Sequence, residues 1–224
     1  MIRRDYILRM IEEFMQALAR LRSLKQDQRW DEATGELDAE LKKLIGSDTQ
    51  AVTRLSETEL VARLMQDGPT HALNAKALIL TTLLQVAGDV ATASGHEAEG
   101  QECYLKALHL LLEILARGEV FDCPEFVPRI EMLLAALEST TLPVRTHAML
   151  MQHYERTGEY AKAEDALFAM LDAEPDNHAI VDFGITFYER LLAQNNATLD
   201  VANLPRGEAE EGLEEMRRRK SGAD

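Results

Sequence analysis

Apolar residues recur every three or four positions through most of the chain, the spacing that lines up one face of an α-helix. Few residues are aromatic, 5%, and Leu, Ala, Glu and Met are abundant. This composition favours helix over sheet. The pattern predicts an all-α protein with helices over 2–26, 30–45, 57–66, 71–94, 97–117, 125–138, 144–157, 160–174 and 178–193.

The clearest stretch runs from Val144 to Asn177 and predicts two short antiparallel helices followed by a stop. Gly158 marks the turn between the helices, and Pro175 ends the second helix because proline lacks an N–H and clashes with the preceding turn. A shared apolar seam is formed by Leu150, Tyr154, Ala163, Leu167, Met170 and Leu171. A unit of about 34 residues with this pattern is typical of a tetratricopeptide repeat.

The same pattern recurs elsewhere in the chain. Trp30, Ala33 and Leu37 stand where Tyr160, Ala163 and Leu167 stand in the clear unit, and Gly95 corresponds to Gly158. The chain therefore resembles the tetratricopeptide-repeat-like superfamily. The resemblance implies a right-handed array of antiparallel helix hairpins, a TPR-like α-solenoid, forming one domain over 1–194.

The N-terminal sequence adds a second resemblance. The run Asp5-Tyr6-Ile7-Leu8-Arg9-Met10-Ile11-Glu12, followed by Ala17-Leu18-Ala19 and Trp30-Asp31-Glu32-Ala33, is similar to a bacterial family of uncharacterised helical-repeat proteins. That family has no assigned catalytic residues, so the resemblance implies a fold and nothing further.

The apolar period is lost from Asn195 onward, and we interpret 195–224 as a polar, partly ordered C-terminal tail. Within it, Glu208–Lys220 has acidic residues first and basic residues last. That order suits the dipole of a solvated helix, whose N-terminus favours negative charge.

Charge and motifs narrow the function classes. The net charge of −15 argues against nucleic acid as a partner, because binding phosphates requires a basic face. Cys103 and Cys123 form no zinc or redox motif. No acid precedes a histidine by three residues, and His109 with Glu113 is interpreted as a packed or surface pair rather than two metal ligands. We expect neither metal nor cofactor, and no enzymatic activity.

The sequence shows no signal peptide and no apolar run long enough to span a bilayer, so we expect a cytoplasmic protein. The first helix is amphipathic and basic, with Arg9, Arg20, Arg22 and Lys25. Such a helix can lie on a membrane surface or in a partner's groove, but docking on its own domain is the simpler interpretation. Its apolar positions exceed what one neighbour covers, which predicts a possible homodimer.

We therefore expect a non-catalytic adaptor that binds a protein or peptide of unknown identity; the alternative is a regulatory or accessory subunit of an enzyme complex. In tetratricopeptide-like hairpins, the first helices line the concave face. The candidates for this face are Arg145, Met149, Gln152 and Arg156, with Thr82, Val86 and Asp89 at the same offset in the preceding unit. The alternative is that these side chains are merely solvated, or are covered by the helix predicted at 125–138.

Overall fold

The computed structural model describes residues 2–66, 72–117 and 123–222, with side chains from Tyr6 onward. These residues form helices and no strand, which confirms the all-α prediction. They divide into two compact units, unit 1 over 1–141 and unit 2 over 142–224. The single domain predicted over 1–194 stays a prediction.

Unit 1 is built around a long central hairpin. Its helices are α1 (Ile2–Gln26), α2 (Trp30–Ile45), α3 (Thr49–Arg54), α4 (Glu57–Gln66), α5 (Leu73–Ala93), α6 (Glu97–Ala116) and α7 (Ile130–Ala136). Helix α5 pairs with α6 and is also packed by α1, α2 and α4, while α7 packs on α6.

Helix α5 is the centre of the unit 1 core. Its hairpin contact with α6 is close because two glycines lie in it: a Cβ on Gly88 would collide with the Tyr104 ring, and one on Gly100 with Thr92. Among the described helices, α5 is the one that is long and apolar enough to cross a membrane. Of the most apolar 18 residues of α5, 72% are buried inside the protein. A core helix of this kind is expected to be apolar, so the composition of α5 is weak evidence for a membrane span.

Unit 2 consists of α8 (Val144–Thr157), α9 (Tyr160–Ala173), α10 (His178–Leu192), α11 (Asn196–Val201) and α12 (Arg206–Ser221). Gly158 ends α8 with φ of 77°, a left-handed conformation that glycine adopts without a Cβ penalty. Helix α8 pairs with α9, and α10 pairs with α12.

The C-terminal segment differs from the polar tail predicted over 195–224. Helix α12 buries Ala209, Leu213 and Met216, and a Cβ on Gly212 would collide with the Tyr188 ring of α10. Two of the buried α12 residues, Ala209 and Gly212, are small, and small residues contribute little to a hydrophobic pattern. The sequence pattern therefore underestimated how much of the segment is packed.

Two other elements differ from the predictions. Helix α3 was not predicted; it has six residues, too few to show a period, and the Asp48 carboxylate caps it by accepting from the Ala51 N–H at 2.9 Å. The helix predicted at 125–138 shrinks to Ile130–Ala136. Pro128 explains this, because a proline disfavours the helical conformation of the residue before it.

Candidate peptide-binding groove

The predicted residues of α8 lie on one face of that helix. Arg145, Gln152 and Arg156 are exposed and Met149 is half-buried, whereas Leu150 on the opposite side is 4% exposed. Spacings of four, three and four residues keep the four side chains within one narrow arc. These four side chains therefore share the outward side of α8, and their role in binding stays a prediction.

Part of this face borders a groove of about 620 Å³ in unit 2. Gln152 and Arg156 line it from α8, while Arg145 and Met149 are not among its lining residues. Tyr160, at the start of α9, also lines it. The remaining lining residues are Glu155, Arg190, Leu191, Ala193 and Gln194.

An ion pair joins the two helices that flank the groove. Arg190 of α10 donates from Nε to Glu155 Oε1 at 2.6 Å and from Nη2 to Oε2 at 2.8 Å. The Glu155 carboxylate raises the pKa of the Arg190 guanidinium further. Because this arginine satisfies the one acidic side chain in the lining, the groove does not present an uncompensated negative charge.

A second arginine, Arg206 of α12, bonds to the segment that follows α10. Arg206 donates to the carbonyl oxygens of Leu192 at 3.1 Å and Gln194 at 2.6 Å, and to Asn196 Oδ1 at 2.5 Å. These bonds tie the segment after α10 to the start of α12. The backbone that carries the Gln194 side chain is therefore held by Arg206 at the Leu192 and Gln194 carbonyls.

Sequence reasoning missed the groove residues outside α8. Only the first helix of each hairpin was considered, so Tyr160 at the hairpin turn and Arg190, Leu191 and Gln194 of the next element were omitted. Their signal was present: Tyr160 starts the helix predicted after the turn, Arg190 lies in the last turn of the helix predicted at 178–193, and Gln194 directly follows that helix. A groove between successive hairpins is lined by residues of both hairpins. An argument from α8 alone therefore identifies only part of its lining.

Thr82 and Val86, the candidates on α5, are buried in unit 1, with exposures of 1% and 3%, so neither side chain lies on an open face. Thr82 Oγ1 donates to the Leu78 carbonyl at 3.0 Å and lies 3.4 Å from the Phe126 carbonyl. Helix α5 is surrounded by other helices. Residues displaced from the hairpin seam therefore stay buried on α5, whereas the equivalent residues on the partly exposed α8 lie at the surface. At Thr82, the segment 125–138 covers the side chain through Phe126, as in the alternative interpretation.

Asp89 is the centre of a polar network rather than part of an open face. Its carboxylate accepts from Gln85 Nε2 at 2.6 Å and from the Tyr104 hydroxyl at 2.8 Å, and pairs with Lys25. Burial, then the bond to Asp89, raises the pKa of the Tyr104 hydroxyl. The network joins α1, α5 and α6, and so stabilises the unit 1 core.

The other candidate chemistry in unit 1 is also structural. His109 is 3% exposed, and its Nδ1 lies 2.6 Å from Glu57 Oε1. Lys106 beside it donates to the Thr53 carbonyl at 2.5 Å and to Glu102 at 2.6 Å. Burial raises the pKa of the Cys103 thiol to about 12, which keeps it protonated and unreactive. Among the described residues, no three His, Cys, Asp or Glu side chains form a metal-binding group.

The fold defines the class as an all-α protein of paired helices whose second unit carries a polar-rimmed groove. The chain belongs to a family of unknown function (DUF6483), whose model matches residues 1–221. This agrees with the expected membership of an uncharacterised family of helical proteins. Neither the curated proteins nor the solved structures contain a match to the chain.

Proposed function

We propose that this protein is a non-catalytic, cytoplasmic adaptor that binds a protein or peptide in the groove of unit 2. The groove between α8 and α10 carries the proposal. Its volume of about 620 Å³ is within the range of ligand-binding clefts, about 300–1,000 Å³.

The lining suits a peptide. Leu191, Ala193 and the Tyr160 ring provide apolar surface, and the side-chain amides of Gln152 and Gln194 can both donate and accept hydrogen bonds. Such amides match the alternating N–H and C=O groups of a peptide backbone. This combination of an apolar surface and a few polar groups is typical of a recognition site.

Charge favours an acidic segment of the partner. Arg145 and Arg156 share the exposed face of α8 in a chain of net charge −15. A guanidinium binds carboxylates through two parallel hydrogen bonds, which adds geometric specificity to attraction. We propose further that the hairpins are related as in tetratricopeptide repeats, where such a face is concave.

The test is capture from source cells with mass spectrometry, comparing three forms of the full chain. The first is wild type and the second is Arg145→Glu with Arg156→Glu. The control is Arg217→Glu with Arg218→Glu, which makes the same change in net charge on α12, where these side chains are 58% and 67% exposed. All three must give the same helical circular dichroism spectrum.

A partner retained by wild type and by the α12 control, and lost at least tenfold from the α8 variant, supports the proposal. Equal retention by all three forms contradicts it, because the α8 face would then contribute nothing. If the partner that the α8 variant loses is a subunit of an enzyme, the result favours the alternative, in which this protein is a regulatory or accessory subunit of that enzyme.

A further inference from the structure

The arginine that forms the ion pair beside the groove of unit 2 keeps a second binding edge. Arg190 binds Glu155 side-on, through Nε at 2.6 Å and Nη2 at 2.8 Å. A guanidinium has five N–H donors in one plane, so this pair leaves the two on Nη1 and one on Nη2. Within the described part of the chain, Arg190 forms no further hydrogen bond or ion pair. Its Nη1–Nη2 edge can therefore bind a second planar anion.

The ion pair also restricts the orientation of that edge. Two parallel bonds hold the guanidinium plane against the Glu155 carboxylate. Glu155 is the less exposed partner, at 20% against 45% for Arg190, so the pair is anchored on the α8 side. An anion that binds the second edge therefore meets a guanidinium whose rotation is already limited, and less side-chain freedom is lost on binding.

The C-terminal end of α10 would by itself repel an anion, because the last carbonyl groups of a helix carry partial negative charge. Arg206 offsets this effect. It donates to the carbonyl oxygens of Leu192 at 3.1 Å and Gln194 at 2.6 Å. The carbonyls next to Arg190 in sequence are thus bonded to a cation, which lowers the electrostatic cost of placing a carboxylate at this helix end.

The groove lining also provides apolar groups together with Arg190. Leu191 and Tyr160 are 2% and 9% exposed, so packing fixes both side chains, and both line the groove. A charged hydrogen bond is stronger beside apolar groups than in bulk water, because the local dielectric constant is lower. This combination favours a ligand that carries a carboxylate next to an apolar group.

We infer that the Nη1–Nη2 edge of Arg190 binds the side-chain carboxylate of an aspartate or glutamate in the partner, and that a neighbouring apolar side chain of the partner packs on Tyr160 and Leu191. A carboxylate matches this edge because its two oxygens accept two parallel N–H bonds. The groove is an open cleft, which lets the peptide continue on both sides of the acidic residue. The inference rests on the proposed function of the groove as a peptide site, and it adds the residue type that is selected and the arginine that selects it.

The probe is a library of random acetylated peptides held on beads through a C-terminal amide, so that Asp and Glu side chains are their only carboxylates. The fluorescently labelled full chain selects beads from it. We expect the selected peptides to share an acidic residue with an apolar neighbour. Each is resynthesised with its acid and with the matching amide, Gln for Glu or Asn for Asp. Fluorescence anisotropy should show that the amide form binds wild type about tenfold more weakly, the effect of losing one charged hydrogen-bonded contact.

Arg190→Lys separates the second edge from the charge. Lysine stays positive and can still pair with Glu155, but its ammonium has no planar fork. The preference for the acidic peptide should therefore fall to about twofold or less. Arg217→Lys is the matched control, because Arg217 also bonds to a glutamate, Glu189 at 3.2 Å, and does not line the groove. It should keep the tenfold preference. Circular dichroism checks the fold of both variants, and the peptide comparison on wild type requires neither.

A benzoylphenylalanine in place of the apolar neighbour of the acid shows where each peptide binds. Adducts at groove residues, with an acid preference that Arg190→Lys removes and Arg217→Lys keeps, support the inference. Adducts at the groove with equal affinity for the acidic and amide peptides, or with a preference that Arg190→Lys retains, overturn the inference and leave the groove as a peptide site. Adducts only outside the groove, or a library from which no peptide is selected, contradict the proposed function and the inference with it.

Discussion

Glu155 of α8 and Arg190 of α10 form a two-bond ion pair, with donor–acceptor distances of 2.6 and 2.8 Å. The two side chains are 20% and 45% exposed, so the pair is partly shielded from solvent. Two parallel bonds restrict the rotation of both planar groups. The pair therefore links the two helices that flank the proposed binding groove.

Replacing Leu167 by alanine should destabilise unit 2 by roughly 2–5 kcal/mol, the usual cost of emptying a packed leucine site. Leu167 is fully buried on α9, and its side chain lies close to Gly184 of α10. Urea titration followed by far-UV circular dichroism measures the loss. Val201→Ala is the control, since Val201 is 86% exposed and should change stability by less than about 0.5 kcal/mol. A loss at Leu167 no larger than at Val201 would mean that the α9–α10 contact is misassigned.

The close contact of α10 with α12 predicts opposite effects for two glycines on one helix. Gly212→Ala should destabilise by about 1–3 kcal/mol, because the added methyl group collides with the buried Tyr188 ring. Gly207→Ala should stabilise by roughly 0.5–1 kcal/mol, because nothing lies within 4 Å of its Cβ position and alanine favours the helix. Thermal unfolding of both variants is the measurement. Stabilisation by both substitutions would indicate that α12 is not docked on α10.

Glu164 should give unit 2 a pH-dependent stability. Burial raises the pKa of this carboxyl above 4.5, although the bond donated by the Tyr188 hydroxyl at 2.5 Å partly opposes the shift. A raised pKa in the folded state means that its contribution to stability is fully present below the unfolded value and is lost as the pH rises through the folded value. Glu164→Gln, which keeps an acceptor for Tyr188, should therefore be more stable than wild type at pH 7.

The stability difference between Glu164→Gln and wild type should vanish near pH 4, where the native carboxyl is protonated. Urea titrations of both proteins at pH 4 and pH 7 measure it. Glu210→Gln, at an exposed position on α12, is the control for a changed net charge. A difference that is the same at both pH values would contradict the account.

The sequence predicted most helices because their ends are encoded locally. Gly158 and Gly95 adopt positive φ values. Ser56 and Glu59 form a capping box at the start of α4, in which each side chain accepts from the backbone N–H of the other, at 2.8 and 3.3 Å. It could not predict which helices would be enclosed. Thr82 and Arg145 each lie 13 residues before the turn glycine of their hairpin, yet Thr82 is buried and Arg145 is exposed. The reason is that the number of neighbours around each helix depends on contacts distant in sequence.

Helix α1 retains exposed apolar side chains that predict self-association. The structure buries Phe14 but leaves Leu8 and Met15 48% and 40% exposed. These two residues are seven apart and therefore share one side of α1. We expect wild type to sediment as a dimer at high concentration, and Leu8→Lys with Met15→Lys to sediment as a monomer. A wild-type monomer at the highest concentration reached would exclude the homodimer.

The proposed groove is tested most directly by site-specific photo-cross-linking in the source cell. A benzoylphenylalanine at Gln152 lies in the groove lining, whereas one at Glu210 lies on the exposed side of α12. The account predicts that the Gln152 protein forms a covalent adduct with its partner and that the Glu210 protein does not. Adducts of equal yield from the two positions, or none from Gln152 while the partner still co-purifies, would contradict a binding groove between α8 and α10.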